Sequence, residues 1–209
     1  MVPAIGMHAE TIVRLAPDLV LVDSFAPAGF KRLLRTARIS VIEFEEANGV
    51  EATAIQMAGI GRALGDAAAG AAMADRFRAD MAGLARRPSA MAPLAAIFQA
   101  NGMTLGRGTL SDDLLRRAGW RNLAAECGLE SFVALPLEAV VSARPDLLVL
   151  EGDTSERPSR AEGLMNHRAL RAARSTATLA MPHHLWLCGG PQNVEALRRL
   201  VAARERIGR

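Results

Sequence analysis

One pattern in the chain is written twice, and a duplicated unit limits the available folds more than composition does. Glu10-x-x-Val13-x-x-x-Pro17-Asp18-Leu19 runs on into Val20-Leu21-Val22-Asp23. Glu138-x-x-Val141-x-x-x-Pro145-Asp146-Leu147 runs on into Leu148-Val149-Leu150-Glu151. In each copy a glutamate opens a short amphipathic helical pattern, and a Pro-Asp pair ends it. The residue before a proline is biased out of the helical region, so Ala16 and Arg144 are predicted helix ends. The aliphatic run that follows suits a parallel strand buried on both faces. Each run closes on an acidic residue, where a strand would leave the carboxyl edge of its sheet. Two such units far apart in the chain predict two similar α/β lobes with a cleft between them.

The remaining segments fit that frame. A chain of 209 residues, 50% of them hydrophobic, can build one large domain or two small lobes. Residues 1–7 read as an extended lead-in, 8–15 as a helix, 18–22 as a strand and 23–27 as a loop with turn chemistry. A basic amphipathic helix over 29–37 and a second parallel strand over 39–44 follow. From Val50 the pattern is helical and alanine-rich until Gly65-Asp66, which supplies a left-handed terminator and an N-cap. The helix from Asp66 to about Arg87 would be ~33 Å long at 1.5 Å per residue. It is the natural rigid connector, although a crossover helix within one sheet would look similar. The expected division is an N-terminal lobe over 1–65, a connecting helix over 66–88 and a C-terminal lobe over 89–209. Within the last, 93–98 is a strand, 99–109 a polar glycine-rich loop, and Ser111 the cap of a helix reaching Ala118. Gly119-Trp120-Arg121-Asn122 closes that helix. After the second copy come a loop over 152–160, a helix over 161–174 and a strand over 176–180. An irregular loop over 182–192 and an amphipathic helix over 192–205 finish the chain.

Several function classes are disfavoured by residue type. Formal charge is +3, but almost all of the basic charge is arginine, with Arg86, Arg87, Arg116, Arg117, Arg198 and Arg199 on predicted helix faces, and Lys31 is the only lysine. Aromatics are 4% and tyrosine is absent, so a stacking platform for nucleic acid is not expected. No apolar run approaches the ~20 residues that cross a bilayer. Gly102, Gly106 and Gly108 do not match a dinucleotide fingerprint, and no Gly-Lys-Ser/Thr is present. His183 and His184 are neighbours that would face opposite ways on an extended segment, while His8 and His167 lie elsewhere, so no metal site is expected. Hard ferric iron favours oxygen ligands, and without tyrosine direct capture of the bare ion is not expected. No serine or cysteine sits in a nucleophile context, and catalysis is not expected. Cys127 and Cys188 are the only cysteines; one disulfide and two separate reduced thiols are both open readings.

The loop after Phe98 is a candidate binding surface, because a strand-to-helix loop aims backbone N–H groups at a ligand. Glu10 and Glu138 are either solvated glutamates at helix starts or a matched pair of acidic knobs. In the second case they suit arginine sockets on a two-fold symmetric partner.

At these residues the chain resembles a known family, the periplasmic substrate-binding proteins of ABC importers for vitamin B12, ferric siderophores and haem, most of all the cobalamin-binding type. The resemblance is carried by Gly6-Met7-His8-Ala9-Glu10 through Leu21, by Leu137-Glu138 through Leu147, by Gly119-Trp120-Arg121-Asn122 and by the Trp186 loop. It implies two Rossmann-like lobes joined by one long helix, no cofactor, and a metal chelate as ligand in the cleft. It implies that Glu10 and Glu138 dock on a permease dimer coupled to its ATPase. The ligand-facing residues it implies are Asp23, Ser24 and Phe25, then Gln99, Asn101, Met103 and Thr104, then His184 and Trp186. A periplasmic location follows by the same resemblance. Members carry an export signal and a strand-helix-strand portion ahead of the Glu10 helix, so an incomplete first lobe is expected here. The reading from another class is a cytoplasmic α/β enzyme or ligand sensor with the same lobe architecture.

Overall fold

The computed structural model describes residues 8–87, 89, 91–151 and 177–207, and the chain divides into two compact units, Met1–Glu46 and Ala47–Arg209. The expected lead-in over 1–7, the loop and helix over 152–174 and His167 lie outside the described residues.

In the first unit, α1 (Ala9–Leu15) leads to β1 (Leu19–Asp23), and α2 (Ala28–Thr36) leads to β2 (Ser40–Phe44). The two strands pair in parallel from Leu19 opposite Ser40 to Asp23 opposite Phe44. Val20 and Val41 share the face covered by the helices, where they meet Ile12 and Phe30 and the fully buried Leu34. Alternation sends Leu21 to the other face, and there it is 41% exposed. The expectation of a strand buried on both faces is therefore corrected for β1. Its aliphatic run is apolar on both sides, yet only one side is covered among the described residues.

In the second unit, α3 (Val50–Ala63) and α4 (Ala67–Leu84) form a packed helix pair. Gly65, at φ 84°, makes the left-handed turn between them, and the Asp66 carboxylate accepts from Ala69 N at 2.8 Å. The expected terminator and cap both stand, but α4 has 18 residues, so its length is about 27 Å. A Cβ on Gly61 would lie 2.5 Å from Gly70 Cα, so these two glycines set how closely the helices approach.

The sheet of this unit is all parallel, in the order β5-β3-β7-β8, with β3 at Leu94–Phe98, β5 at Arg121–Asn122, β7 at Leu147–Glu151 and β8 at Ala177–Met181. Strand alternation sorts its two faces. Ala95, Ile97, Leu147, Val149 and Met181 pack with Phe77 and Met81 of α4, with α5 (Leu110–Arg117) and with the terminal helix Asn193–Ile207. Ala96, Phe98 and Leu148 pack on the opposite side with Leu123, Leu135 and Val140. Leu123 begins α6 (Leu123–Glu126), and Val140 belongs to α7 (Leu137–Ala143). β7 is thus a strand covered on both faces, as its sequence predicts.

Three short strands were not expected. β4 (Met103–Leu105) pairs antiparallel with β6 (Phe132–Ala134), which places regular structure inside the expected 99–109 loop. β5 falls within the tetrad expected only to close a helix. There Trp120 Nε1 donates to Leu200 O at 3.0 Å, and the buried Asn122 Nδ2 donates to Leu105 O at 2.9 Å. The cap of α5 is Thr109, whose hydroxyl accepts from Asp112 N at 3.2 Å, rather than Ser111. Ser111 is buried and its hydroxyl donates instead to Trp186 O at 3.3 Å.

Candidate functional site

The repeated pattern takes the same local form in both units. α1 and α7 each span seven residues with an acidic residue in the first turn. Both end in the left-handed region on a residue other than glycine, Ala16 at φ 45° and Arg144 at φ 47°. The proline that follows disfavours the helical region at these positions and forces the chain to turn. A short connection from helix to strand makes the helix run back along the sheet, so its amino end stands at the strand's carboxyl edge. Glu10 and Glu138 are exposed there, and neither carries a hydrogen bond or ion pair among the described residues.

The Pro-Asp pair differs between copies. Asp146 Oδ2 accepts from Leu94 N at 2.8 Å, while Asp146 N donates to Leu94 O at 2.8 Å. That carboxylate clamps the start of β3 to the start of β7. Asp18, its counterpart, has no such contact among the described residues. β1 and β7 belong to separate sheets.

The loops after strand carboxyl ends are where ligands bind in open α/β sheets. In the first unit the loop after β1 exposes Asp23, Ser24 and Phe25, the last at 75%. Asp23 Oδ1 accepts from Phe25 N at 3.0 Å and so sets the turn that holds the ring outward. In the second unit, Gln99 to Met103 follow β3 and His184 follows β8. Because β3, β7 and β8 are parallel, these segments share one edge of one sheet. Asn101, at φ 59°, is exposed and Met103 half-buried. His183 and His184 are exposed on a single helical turn, α8 (His183–Trp186), where an irregular loop was expected. The terminal helix, Asn193–Ile207, is α9.

Three expected ligand-facing side chains point inward. Gln99 is 3% exposed, and Thr104 is fully buried with its hydroxyl donating to Ile97 O at 2.8 Å. Trp186 is fully buried in the main core, so it presents no apolar face to a ligand. The helical turn of α8 directs Leu185 and Trp186 inward and leaves the histidines outside. The buried Asn193 was missed. Its Nδ2 donates to Leu185 O at 2.8 Å and to Cys188 O at 3.0 Å, and its Oδ1 accepts from Gly190 N at 2.7 Å. It thereby shapes the segment after α8; an asparagine opening an amphipathic helix was the available signal.

The disulfide reading is corrected, because Cys127 and Cys188 are both free and exposed. Cys127 follows α6 at the β5 edge of the sheet, whereas Cys188 follows α8 beyond β8 at the other edge. Three strand spacings of about 4.8 Å separate those edges, well past the ~7 Å that a disulfide allows between Cα atoms. Among the described residues no three His, Cys, Asp or Glu side chains gather into a metal site, and no helix is long and apolar enough to cross a membrane.

Each unit is a parallel sheet flanked by helices, with loops at the strands' carboxyl ends and an acidic residue in the first turn of the helix that precedes β1 or β7. The chain belongs to the periplasmic binding protein family, whose pattern matches residues 6–180. The resemblance drawn from the repeated motif is thereby borne out. A cobalamin-binding protein of Halobacterium salinarum is 31% identical over 146 residues. That match covers 68% of this chain and 40% of the relative, so the chain spans well under half the length of the curated relatives it matches. The periplasmic heme-binding protein RhuT from Roseiflexus sp. RS-1, in apo form, superposes with a TM-score of 0.83 at 27% identity, over 96% of this chain and 80% of that one. A periplasmic heme-binding protein from Pseudomonas aeruginosa superposes with a TM-score of 0.75 at 27% identity, over 94% of this chain and 75% of that one.

Proposed function

We propose that this chain is the substrate-binding component of an ABC importer, working outside the cytoplasmic membrane. It captures a metal chelate (cobalamin, haem or a ferric siderophore) and passes it to a permease dimer driven by its ATPase. The observation that carries the reading is the repeated unit with an exposed glutamate, unpaired among the described residues, in the first turn of the helix that leads into each of two separate sheets. Such a pair suits arginine sockets repeated by the symmetry of a dimer. Family membership and relatives named for cobalamin and heme support the same class of ligand.

The residues assigned to the chelate are Asp23, Ser24 and Phe25 in the first unit and Asn101, Met103 and His184 in the second. Phe25 supplies apolar contact to a macrocycle, while Asn101 and backbone N–H groups meet its polar rim. The lobes of this reading are 1–65 and 89–209, with 66–88 between them. α4 shares its core with the sheet of the second unit. The protein needs no cofactor, and a cobalt or iron centre enters as part of the cargo.

Visible-band titration with cobalamin, haem and ferric siderophores, paired with thermal shift, tests the assignment. One chelate is expected to shift its absorption band and raise the melting midpoint, and Phe25→Ala with His184→Ala should weaken it about tenfold or more. No response to any of them would remove the carrier reading and favour an α/β sensor or enzyme for other ligands.

A further inference from the structure

A cavity of about 570 Å³ opens on the second unit. Its wall includes Arg121, which pairs with Leu94 at the first residue of β3. The cavity therefore lies at the amino end and outer edge of the sheet, whereas Gln99 and His184 lie at the carboxyl edge.

Arg107, Arg116 and Arg121 line it, against the carboxylates Asp112 and Glu126. Asp112 is committed elsewhere. It is 1% exposed, accepts from Arg116 Nε at 3.1 Å and from Asn122 Nδ2 at 3.0 Å. Arg116 is further held 3.6 Å from Asp113. That leaves Arg107 and Arg121 as the other lining guanidinium groups and Glu126 as the other lining carboxylate.

Both are loosely held. The only side-chain hydrogen bond of Arg107 among the described residues is from Nη2 to Ala125 O, at 3.4 Å. Arg121 Nη1 stands 3.9 Å from Glu126, too far for a hydrogen bond, and its buried Nε has no acceptor among the described residues. A guanidinium carries five donors in a planar fork that matches two oxygens of one oxyanion. The cavity is in the size range of small-ligand sites. Its one aromatic, Trp120, is 2% exposed and offers nothing for a base to stack on.

We propose that this cavity binds a small oxyanion, phosphate or a short carboxylate, between Arg107 and Arg121, with Glu126 as the internal competitor that the ligand displaces. Removing two charge-assisted contacts should weaken such binding by about tenfold or more.

Calorimetric titration of the full chain with sodium phosphate, and separately with disodium succinate, tests the site. Saturable one-site binding is expected with at least one of them, and the anion that saturates names the source. Arg107→Gln with Arg121→Gln should lose it, while Glu126→Gln should bind several-fold more tightly. Arg198→Gln with Arg199→Gln, which removes equal charge from the surface of α9, should bind as the parent does. An unchanged melting midpoint in the Arg107 and Arg121 variant shows that the loss is not unfolding. Absence of saturable binding with both anions would overturn the proposal. So would equal loss in the α9 variant, which would mark general charge attraction.

Discussion

Asp146 and Asp18 occupy the same place in the repeated pattern, yet among the described residues only Asp146 closes a hydrogen bond onto a neighbouring strand. A carboxylate accepting from one backbone N–H at an exposed site contributes about 1 kcal/mol. Asp146→Ala should lower unfolding free energy by about that much in urea, while Asp18→Ala should change it by less than about 0.5 kcal/mol. Equal losses would show that both aspartates act only as turn formers. At this scale the sequence was informative wherever backbone chemistry leaves one choice. A residue before proline is biased out of the helical region, and Gly65-Asp66 offers both a terminator and a cap. It was less informative where two residues of one type compete: Thr109 and Ser111 can each cap a helix, and only packing sends Ser111 inward. Trp186 misled for the same reason. A tryptophan in a polar, histidine-bearing tract looks exposed until a single helical turn rotates it into the core.

Helices of two turns or more and strands of five residues showed in the sequence through their periodicity. β4, β5 and β6 are two or three residues long, too short for any alternation to register, and β6 lies far along the chain from its partner. The α3–α4 pair carries two predictions. Gly61→Ala would press a Cβ against the Gly70 backbone, and should destabilise the chain by about 1–3 kcal/mol in denaturant melts. No loss would mean that the helices separate freely. The second concerns Arg78, whose Nε donates to Glu51 across the pair at 2.9 Å. Hydrogen bonding from this guanidinium holds the Glu51 carboxyl below its ordinary value, about 4.5. A lowered folded value means a contribution that is complete above the ordinary carboxylate range and disappears as pH falls through the lowered value. The pair is exposed, so the effect is small. Arg78→Ala should lower the melting midpoint slightly at pH 7 and not at all in strong acid. A difference that persists in acid would assign it to helix propensity instead.

The largest feature of the molecule, one α/β unit used twice, was legible because both copies repeat the same five landmarks in the same order. What the repeat could not show was how differently the copies are covered. β7 lies inside a four-stranded sheet with a core on each face, while β1 has one partner among the described residues and leaves Leu21 at the surface. Burial depends on neighbours supplied by the rest of the fold, and identical local sequences carry no record of them. The glutamates escape this difference, since both stand at exposed helix starts in either setting. The most direct measurement is therefore uptake of the bound chelate by the cognate permease with Glu10→Arg and Glu138→Arg combined, alongside chelate affinity of the same variant. Uptake should fall to background with affinity unchanged. Uptake at the parent rate would contradict the account.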